Sequence, residues 1–307
     1  MKKLFYLVKP LIPRSFQISL RRFLIKRKIV KVSEIWPILP GSEKKPENWN
    51  GWKGEKKFAL VLTHDVEHKW GYERVEKLMQ VEKELGFVSS FNFVPERDYK
   101  VEKHLLDKIW QNEFEYGVHG LNHDGKLFKN KKVFDQRSTK INNYLKDWNA
   151  VGFRAPAMHH NLEWIKELNV EYDLSTFDTD PFEPQPVGVG TIFPFWVKGR
   201  NGKNGYVEMP YTLVQDFTLF ILMNEKSPAI WIKKLDWIAK NGGMVLLNVH
   251  PDYINLENKS ILEEFPLKYY TDFLKYVKTN YAGQYWNALP RDISNYYKRQ
   301  VRELVLT

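Results

Sequence analysis

From residue 58 onwards, the chain alternates short apolar runs with segments of helical periodicity. Phe58–Leu62 is an uninterrupted apolar run, typical of a strand that is buried on both faces of a parallel sheet. Residues 72–85 then carry apolar side chains at helical spacing, and Gly86 supplies a typical helix end. Strands that alternate with helices in this way predict an α/β fold, either a parallel barrel or a doubly wound sheet.

The same pattern extends through most of the chain. Strands are predicted at 58–62, 89–94, 115–118, 150–154, 170–176, 206–212 and 244–249. Helices are predicted at 72–85, 101–111, 131–148, 161–168, 228–241, 266–280 and 290–304. Residues 177–226 are less regular.

Composition limits the chemistry. The 307 residues suffice for one large barrel or two modest domains. The chain contains no cysteine, which excludes disulfides and thiolate zinc sites. Any metal ion must therefore be held by histidines and carboxylates.

The net charge of +10 belongs to the N-terminal arm. Residues 1–31 contain ten basic residues and no acidic one, which leaves 37 basic and 37 acidic residues in the rest of the chain. The rest of the chain thus has no excess of basic side chains to neutralise phosphates, so we expect no nucleic-acid partner.

The arm also carries apolar side chains. Phe16, Leu20, Phe23 and Leu24 lie near one face of a predicted helix over 15–30. Such a basic helix can lie on an anionic membrane surface, or it can dock on the body or a partner. A polar connector follows at 36–56. We therefore expect an arm and connector over 1–56 and an α/β domain that ends in helices over 57–307.

The first apolar run is too short for a signal peptide, and no segment approaches the roughly 20 apolar residues that span a bilayer. We therefore expect a cytoplasmic protein. If residues 1–31 lie on a membrane rather than on the body or a partner, the contact is peripheral and at the inner face of the cell membrane.

Five polar clusters follow strand-like runs. They are Thr63–Glu67, Val118–His123, Phe153–Pro156, Asp173–Ser175 and Leu247–Pro251. Because the carboxyl ends of barrel strands meet at one rim, where catalytic groups gather, we expect the five clusters to form one site.

Two of the clusters contain residues of the types that bind metal ions. His119 and His123 are four residues apart, which places both imidazoles on one face of a helical turn. Asp65 and Glu67 are two residues apart, and in an extended segment both carboxylates face one side. Two histidines and a carboxylate leave an open coordination position, which is the catalytic arrangement.

The remaining polar residues suggest proton transfer. Asp65 is a candidate base for water, and His250 is a candidate acid because its ordinary pKa lies near neutrality; the alternative for His250 is a core or capping residue. Arg154 can orient Asp65 as a bidentate partner or form an ordinary rim salt bridge. Asp173 can fix Arg154 or the His250 tautomer, or simply form a turn.

Together these clusters resemble the motifs of the polysaccharide deacetylases, carbohydrate esterase family four. The matching segments are Thr63–Glu67, His119–His123, Arg154–Pro156, Asp173–Ser175 and Leu247–His250. The resemblance implies a distorted (β/α) barrel with about seven strands and removal of acetyl groups from sugars by a divalent metal ion, often Zn²⁺. It implies that Asp65 is the base, that Glu67, His119 and His123 are the ligands, that Arg154 supports Asp65, and that His250 is the acid.

The second carboxylate of the motif is usually Asp, so either Glu67 or His68 completes the metal site here. The expected substrate is an acetylated sugar or glycan precursor. Two alternatives stay open: hydrolysis of another C–N bond, such as a ureide or cyclic amide, on the same fold, and a non-catalytic glycan-binding pseudoenzyme.

Overall fold

The computed structural model of the protein describes residues 13–47, 49–199, 205–256 and 261–305. Its strands are β1 (Phe58–Val66), β2 (Ser90–Phe93), β3 (Glu115–His119), β4 (Gly152–Arg154), β5 (Tyr172–Asp173), β6 (Phe195–Val197), β7 (Tyr206–Glu208), β8 (Met244–Asn248), β9 (Ile254–Asn255), β10 (Phe265–Pro266) and β11 (Tyr285–Asn287). Its α-helices are α1 (Arg14–Lys31), α2 (Lys69–Tyr72), α3 (Val75–Leu85), α4 (Lys103–Gln111), α5 (Lys131–Trp148), α6 (Leu162–Ile165), α7 (Ala229–Asn241), α8 (Leu267–Asn280) and α9 (Pro290–Val305).

Parallel strands curl into a distorted barrel. β1 pairs with β8 on one side and with β2 on the other, and β3, β4, β5 and β7 follow in order. Beyond β7, Leu213 bridges Leu247 of β8, and Tyr211 bridges Phe177 beyond β5. These bridges bring the last strands back to the first, so seven strands surround the core. The predicted α/β fold, a distorted (β/α) barrel, is confirmed.

The sequence located the main elements but missed several short ones, among them α2, β9 and β10. The short strand β6 pairs antiparallel with β7, and β11 pairs with the start of β1. A π-helix at Phe217–Leu222 begins directly after Asp216, whose side chain accepts a hydrogen bond from its first backbone N–H. These elements are short or irregular, so the apolar periodicity did not indicate them.

Helix α1 lies against the body. Ile18 and Ile25 are buried in the main core, whereas Phe16, Leu20, Phe23 and Leu24 are exposed. The face of α1 that packs on the rest of the protein is therefore opposite the predicted apolar stripe. Residues 1–12 of the predicted arm lie outside the described residues. In the described part of the chain, no helix combines the length and apolarity that crossing a bilayer requires.

Candidate active site

Three side chains that can bind a metal ion lie together at the carboxyl ends of β1 and β3. Glu67 follows β1, His119 ends β3, and His123 lies in the loop after it. One ligand atom from each lies within 4.8 Å of the others. Nε2 of His119 is buried and has no hydrogen-bond partner among the described residues, and His123 Nε2 lies 2.9 Å from Glu67 Oε1. Buried polar nitrogens normally have a partner, so this donor set fits a divalent cation with an open coordination position.

The local backbone differs from the prediction at the histidine pair. The prediction that His119 and His123 share a helical turn is wrong. His119 is the last residue of a strand, and His123 has a positive φ of 52° in the following loop. Gly120 also has a positive φ, of 62°, and a Cβ there would lie 2.6 Å from the Pro156 ring. The chain therefore turns sharply after β3, and this turn brings the two imidazole rings to a centroid distance of 5.0 Å.

Strand register surrounds Asp65 with hydrogen-bond donors. Asn92 of β2 is the register partner of Asp65, and Asn248 of β8 is the register partner of Thr63, two residues before Asp65 on β1. Asn92 Nδ2 donates to Asp65 Oδ1 at 3.0 Å, and Asn248 Nδ2 donates to Oδ2 at 2.9 Å. Burial raises the pKa of Asp65, but the charges of Arg154, His119 and His250 outweigh it and hold that pKa well below its usual range. Asp65 is therefore ionised and held in one orientation.

Arg154 reaches Asp65 through one nitrogen only. Its Nη1 donates to Asp65 Oδ1 at 3.1 Å, to Thr63 at 2.9 Å and to Asn248 Oδ1 at 2.6 Å, and its Nε donates to the Leu174 carbonyl. The predicted bidentate pairing is thus wrong, because the guanidinium nitrogens donate to residues at the ends of three strands, β1, β5 and β8, and only one of these nitrogens reaches Asp65. Arg154 is fully buried, and it ties Asp65 to the barrel interior.

His250 faces the same space from the end of β8. Its Nε2 lies 4.0 Å from Asp65 Oδ2 and 3.9 Å from Glu67 Oε1. On the other side of the ring, Nδ1 is 2.6 Å from Asp216 Oδ1, and the His250 backbone N–H donates to Asp216 Oδ2. Burial lowers the pKa of His250, but the Asp216 carboxylate, together with Glu67 and Asp65, outweighs burial and raises that pKa to about 10. Asp216 thus keeps the proton on Nδ1 and presents Nε2 to the site.

Asp173 lies outside this cluster. Its Oδ1 accepts a hydrogen bond from Ser175 Oγ, which in turn accepts from the Ala155 backbone N–H. The partner that fixes the His250 tautomer is Asp216. Among the described residues, the Arg154 side chain donates to Thr63, Asp65, Leu174 and Asn248 rather than to Asp173. Asp173 therefore supports the loop after β4 through Ser175.

The loop that carries Glu67 is held by the segment after β8. Asp252 accepts hydrogen bonds from the backbone N–H groups of Glu67 and His68, and Tyr253 Oη donates to Glu67 Oε2 at 2.8 Å. Gly71 permits this contact, because a Cβ there would lie 2.3 Å from Asp252 Oδ2. The His68 side chain instead contacts Arg97 and Asp98 and stacks on Trp70. Glu67, rather than His68, therefore lies with His119 and His123, and these three residues are the candidate metal-binding group.

Asp216, Asn92, Tyr253 and Asp252 were not predicted from the sequence. Asn92 was recoverable, because it lies in a predicted strand next to the one bearing Asp65. Asp216 stands in the irregular region 177–226, where no periodicity assigns it a position, and it is 34 residues from His250 along the chain. Asp252 lies directly beyond the last predicted cluster and offered no distinguishing pattern.

Comparison with known proteins supports the architecture. No family model matches the chain, and no curated protein resembles it in sequence. A protein from Mycobacterium smegmatis, provisionally described as a polysaccharide deacetylase, superposes with a TM-score of 0.61 over 83% of this chain and 95% of that one, at 19% sequence identity. The chain has a polysaccharide-deacetylase-like fold. The peptidoglycan deacetylase PdaC from Bacillus subtilis is a more distant match, with a TM-score of 0.44 at 12% identity over 82% of this chain and 96% of its own.

Proposed function

We propose that the protein is a metal-dependent hydrolase that removes acetyl groups from an acetylated sugar or glycan precursor. The observation that carries this proposal is the convergence of a metal-binding group with an ionised carboxylate and a carboxylate-supported histidine in one space. Hydrolysis of an amide or ester requires a base for water and an acid for the leaving group. Asp65 and His250 supply one of each.

Glu67, His119 and His123 would hold the ion, for which Zn²⁺ is the first candidate because zinc favours histidine and carboxylate ligands. When bound, a divalent cation polarises a carbonyl oxygen and lowers the pKa of water. Tyr253 and Asp252 hold the Glu67 loop in place, and the His119 Nδ1 is 3.1 Å from the Arg154 carbonyl. That carbonyl can only accept, so Nδ1 carries the proton and Nε2 is free to bind the ion.

Asp65 accepts the proton of water as the water oxygen adds to the acetyl carbon. His250 then gives its Nε2 proton to the leaving nitrogen or oxygen as the bond to the acetyl carbon breaks, which releases acetate and the free amine or alcohol. Asp216 stabilises the imidazolium form of His250, and Arg154 keeps Asp65 ionised. Asp65 lies 3.9 Å from His119, and His250 lies 3.9 Å from Glu67. Both groups therefore adjoin the ligand cluster and can act on the same substrate carbon.

Acetate release tests the proposal directly. Purified protein supplied with zinc or cobalt is expected to release acetate from a panel of N- and O-acetylated oligosaccharides, and Asp65→Asn and His250→Ala are each expected to reduce the rate by about 10²- to 10⁴-fold. His119→Ala should lose the bound ion in elemental analysis. Asp236→Asn, on α7, is a matched control because its carboxylate bonds only to Tyr276 and Tyr281 in the described contacts.

Other outcomes would identify the alternatives. Metal-loaded protein that releases ammonia or a ring-opened product without acetate would favour hydrolysis of another C–N bond. Protein that binds glycans without a metal ion, and whose binding survives His119→Ala, would be a pseudoenzyme.

A further inference from the structure

The exposed large apolar side chains are concentrated around helix α1. Within the described residues, α1 contributes Phe16, Leu20, Phe23, Leu24 and Val30, which are 37–77% exposed. The first four lie at helical spacing on the face opposite the buried Ile18 and Ile25. Surface apolar residues scattered singly are ordinary, whereas a contiguous patch marks an interaction surface.

Basic side chains border this stripe. Lys26, Arg27 and Lys31 are exposed, and the Arg27 guanidinium lies 4.3 Å from the centre of the Phe23 ring. The helix has no acidic residue. An apolar stripe with a basic border is complementary to an anionic lipid surface, which offers acyl chains beneath a layer of negative headgroups.

Helix α1 is fixed to the body by its other face. The Arg22 side chain donates to the Ile221 carbonyl at 2.8 Å, and the Arg21 guanidinium lies 5.2 Å from the Phe217 ring. Lys28 donates to the Pro181 carbonyl. Phe217 directly follows Asp216, the residue that orients His250, so α1 lies beside the catalytic end of the barrel.

The start of α1 also forms one wall of a cleft next to the metal-binding group. Arg14 pairs with Glu263 at 2.6 Å at this wall. The cleft has a volume of about 670 Å³, within the usual range for ligand sites, and it contains Tyr253, whose hydroxyl bonds to Glu67. Three more of the exposed apolar side chains, those of Trp70, Ile261 and Leu262, line this cleft and are 46–47% exposed.

We propose that the outer face of α1 and the apolar rim of this cleft dock together on an anionic membrane surface, so that the cleft takes an acetylated sugar carried on a membrane lipid. The substrate part rests on the proposed deacetylase function, whereas the docking part does not. Docking places the cleft mouth at the headgroup layer, where a lipid-anchored sugar is held.

Vesicle binding tests the docking without any enzymatic step. The full chain is sedimented with vesicles of phosphatidylcholine alone and of equimolar phosphatidylcholine and phosphatidylglycerol. We expect binding to the anionic vesicles only, and about a tenfold weaker partition for each of Phe16→Ser and Phe23→Ser. Trp110→Ser is the matched control: Trp110 is 54% exposed, and it lies beside Glu115 at the start of β3, at the other end of the barrel.

The proposal is overturned if the full chain ignores anionic vesicles, or if Phe16→Ser, Phe23→Ser and Trp110→Ser weaken binding equally. It is also overturned if removal of residues 1–12 abolishes binding while both phenylalanine variants bind normally, or if the wild-type chain is a dimer that Phe23→Ser converts to a monomer.

The substrate part is tested with an N-acetylglucosaminyl dialkylglycerol in the same two vesicle types. Faster acetate release in the anionic vesicles supports the proposal, and equal rates overturn its substrate part. Absence of acetate release from both this lipid and soluble acetylated oligosaccharides would contradict the deacetylase function, and the docking would still be decided by the sedimentation result.

Discussion

Replacing Asp216 by Asn should impair catalysis while leaving the metal-binding group intact. Asp216 Oδ2 accepts from the His250 backbone N–H, and Oδ1 accepts from the Phe217 backbone N–H and from Nδ1 of the His250 ring. In the Asn variant one of these two acceptors becomes an NH₂ group, which cannot accept a hydrogen bond. In either orientation the amide is neutral, so the imidazolium form of His250 loses its stabilising carboxylate.

The size of the effect follows from the contact that is lost. A buried hydrogen bond to a charged group contributes about 2–3 kcal/mol, which corresponds to about a 30- to 150-fold loss in kcat/KM. Because Asp216 raises the pKa of His250, the variant should lower it. A general acid must be protonated to act, so activity falls as pH rises through that pKa, and the alkaline limb of the pH profile should move to lower pH.

The assay is acetate release by the zinc-loaded protein across a range of pH, with metal content and thermal unfolding measured in parallel. Asp236→Asn controls for the loss of a half-buried carboxylate elsewhere. The reasoning is refuted if Asp216→Asn keeps the wild-type kcat/KM and the wild-type alkaline limb, or if its only defect is loss of the metal ion.

Two further predictions concern stability. Burial raises the pKa of Glu115 from 4.5 to about 7, so the folded protein binds this proton more tightly than the unfolded chain does, and the free energy of unfolding should fall as pH rises from 4.5 through 7. In Glu115→Gln, the fall in the free energy of unfolding between these pH values should be smaller by up to about 3 kcal/mol. Denaturant unfolding at about pH 5 and about pH 8 measures it, and an unchanged pH dependence would contradict the prediction. Gly71→Ala should displace Asp252 and destabilise the protein by about 1–3 kcal/mol, with weaker zinc binding in a titration against a chelator; wild-type values in both measurements would show that the Gly71 contact can relax.

The order of strands and helices followed from the sequence because buried parallel strands must be continuously apolar and their flanking helices must be amphipathic. Outside the predicted strand at 206–212, the region 177–226 lacks both patterns. This region pairs by single bridges, Phe177 with Tyr211 and Leu213 with Leu247, and then enters a π-helix. Its positions therefore depend on contacts with residues far away in the chain. The sequence therefore left Asp216 unassigned.

Helix α1 likewise shows what the sequence indicates and what only the structure decides. Its sequence indicated a stripe of Phe16, Leu20, Phe23 and Leu24 but left open whether the stripe packs on the body. The structure decided this, because Ile18 and Ile25 fill the body-facing side. A helical pattern defines a face, and only the surface it meets determines which face is buried.

The sequence by itself determined which chemical groups stand at the strand ends: the pair Asp65 and Glu67, the two histidines after β3, Arg154, and His250. Only the tertiary structure decided how they face one another, because strand register and the turn at Gly120 set distances that residue spacing does not encode. It likewise decided that Asp216 and Asp252 complete the site, since each acts across the barrel on a partner far away in the chain.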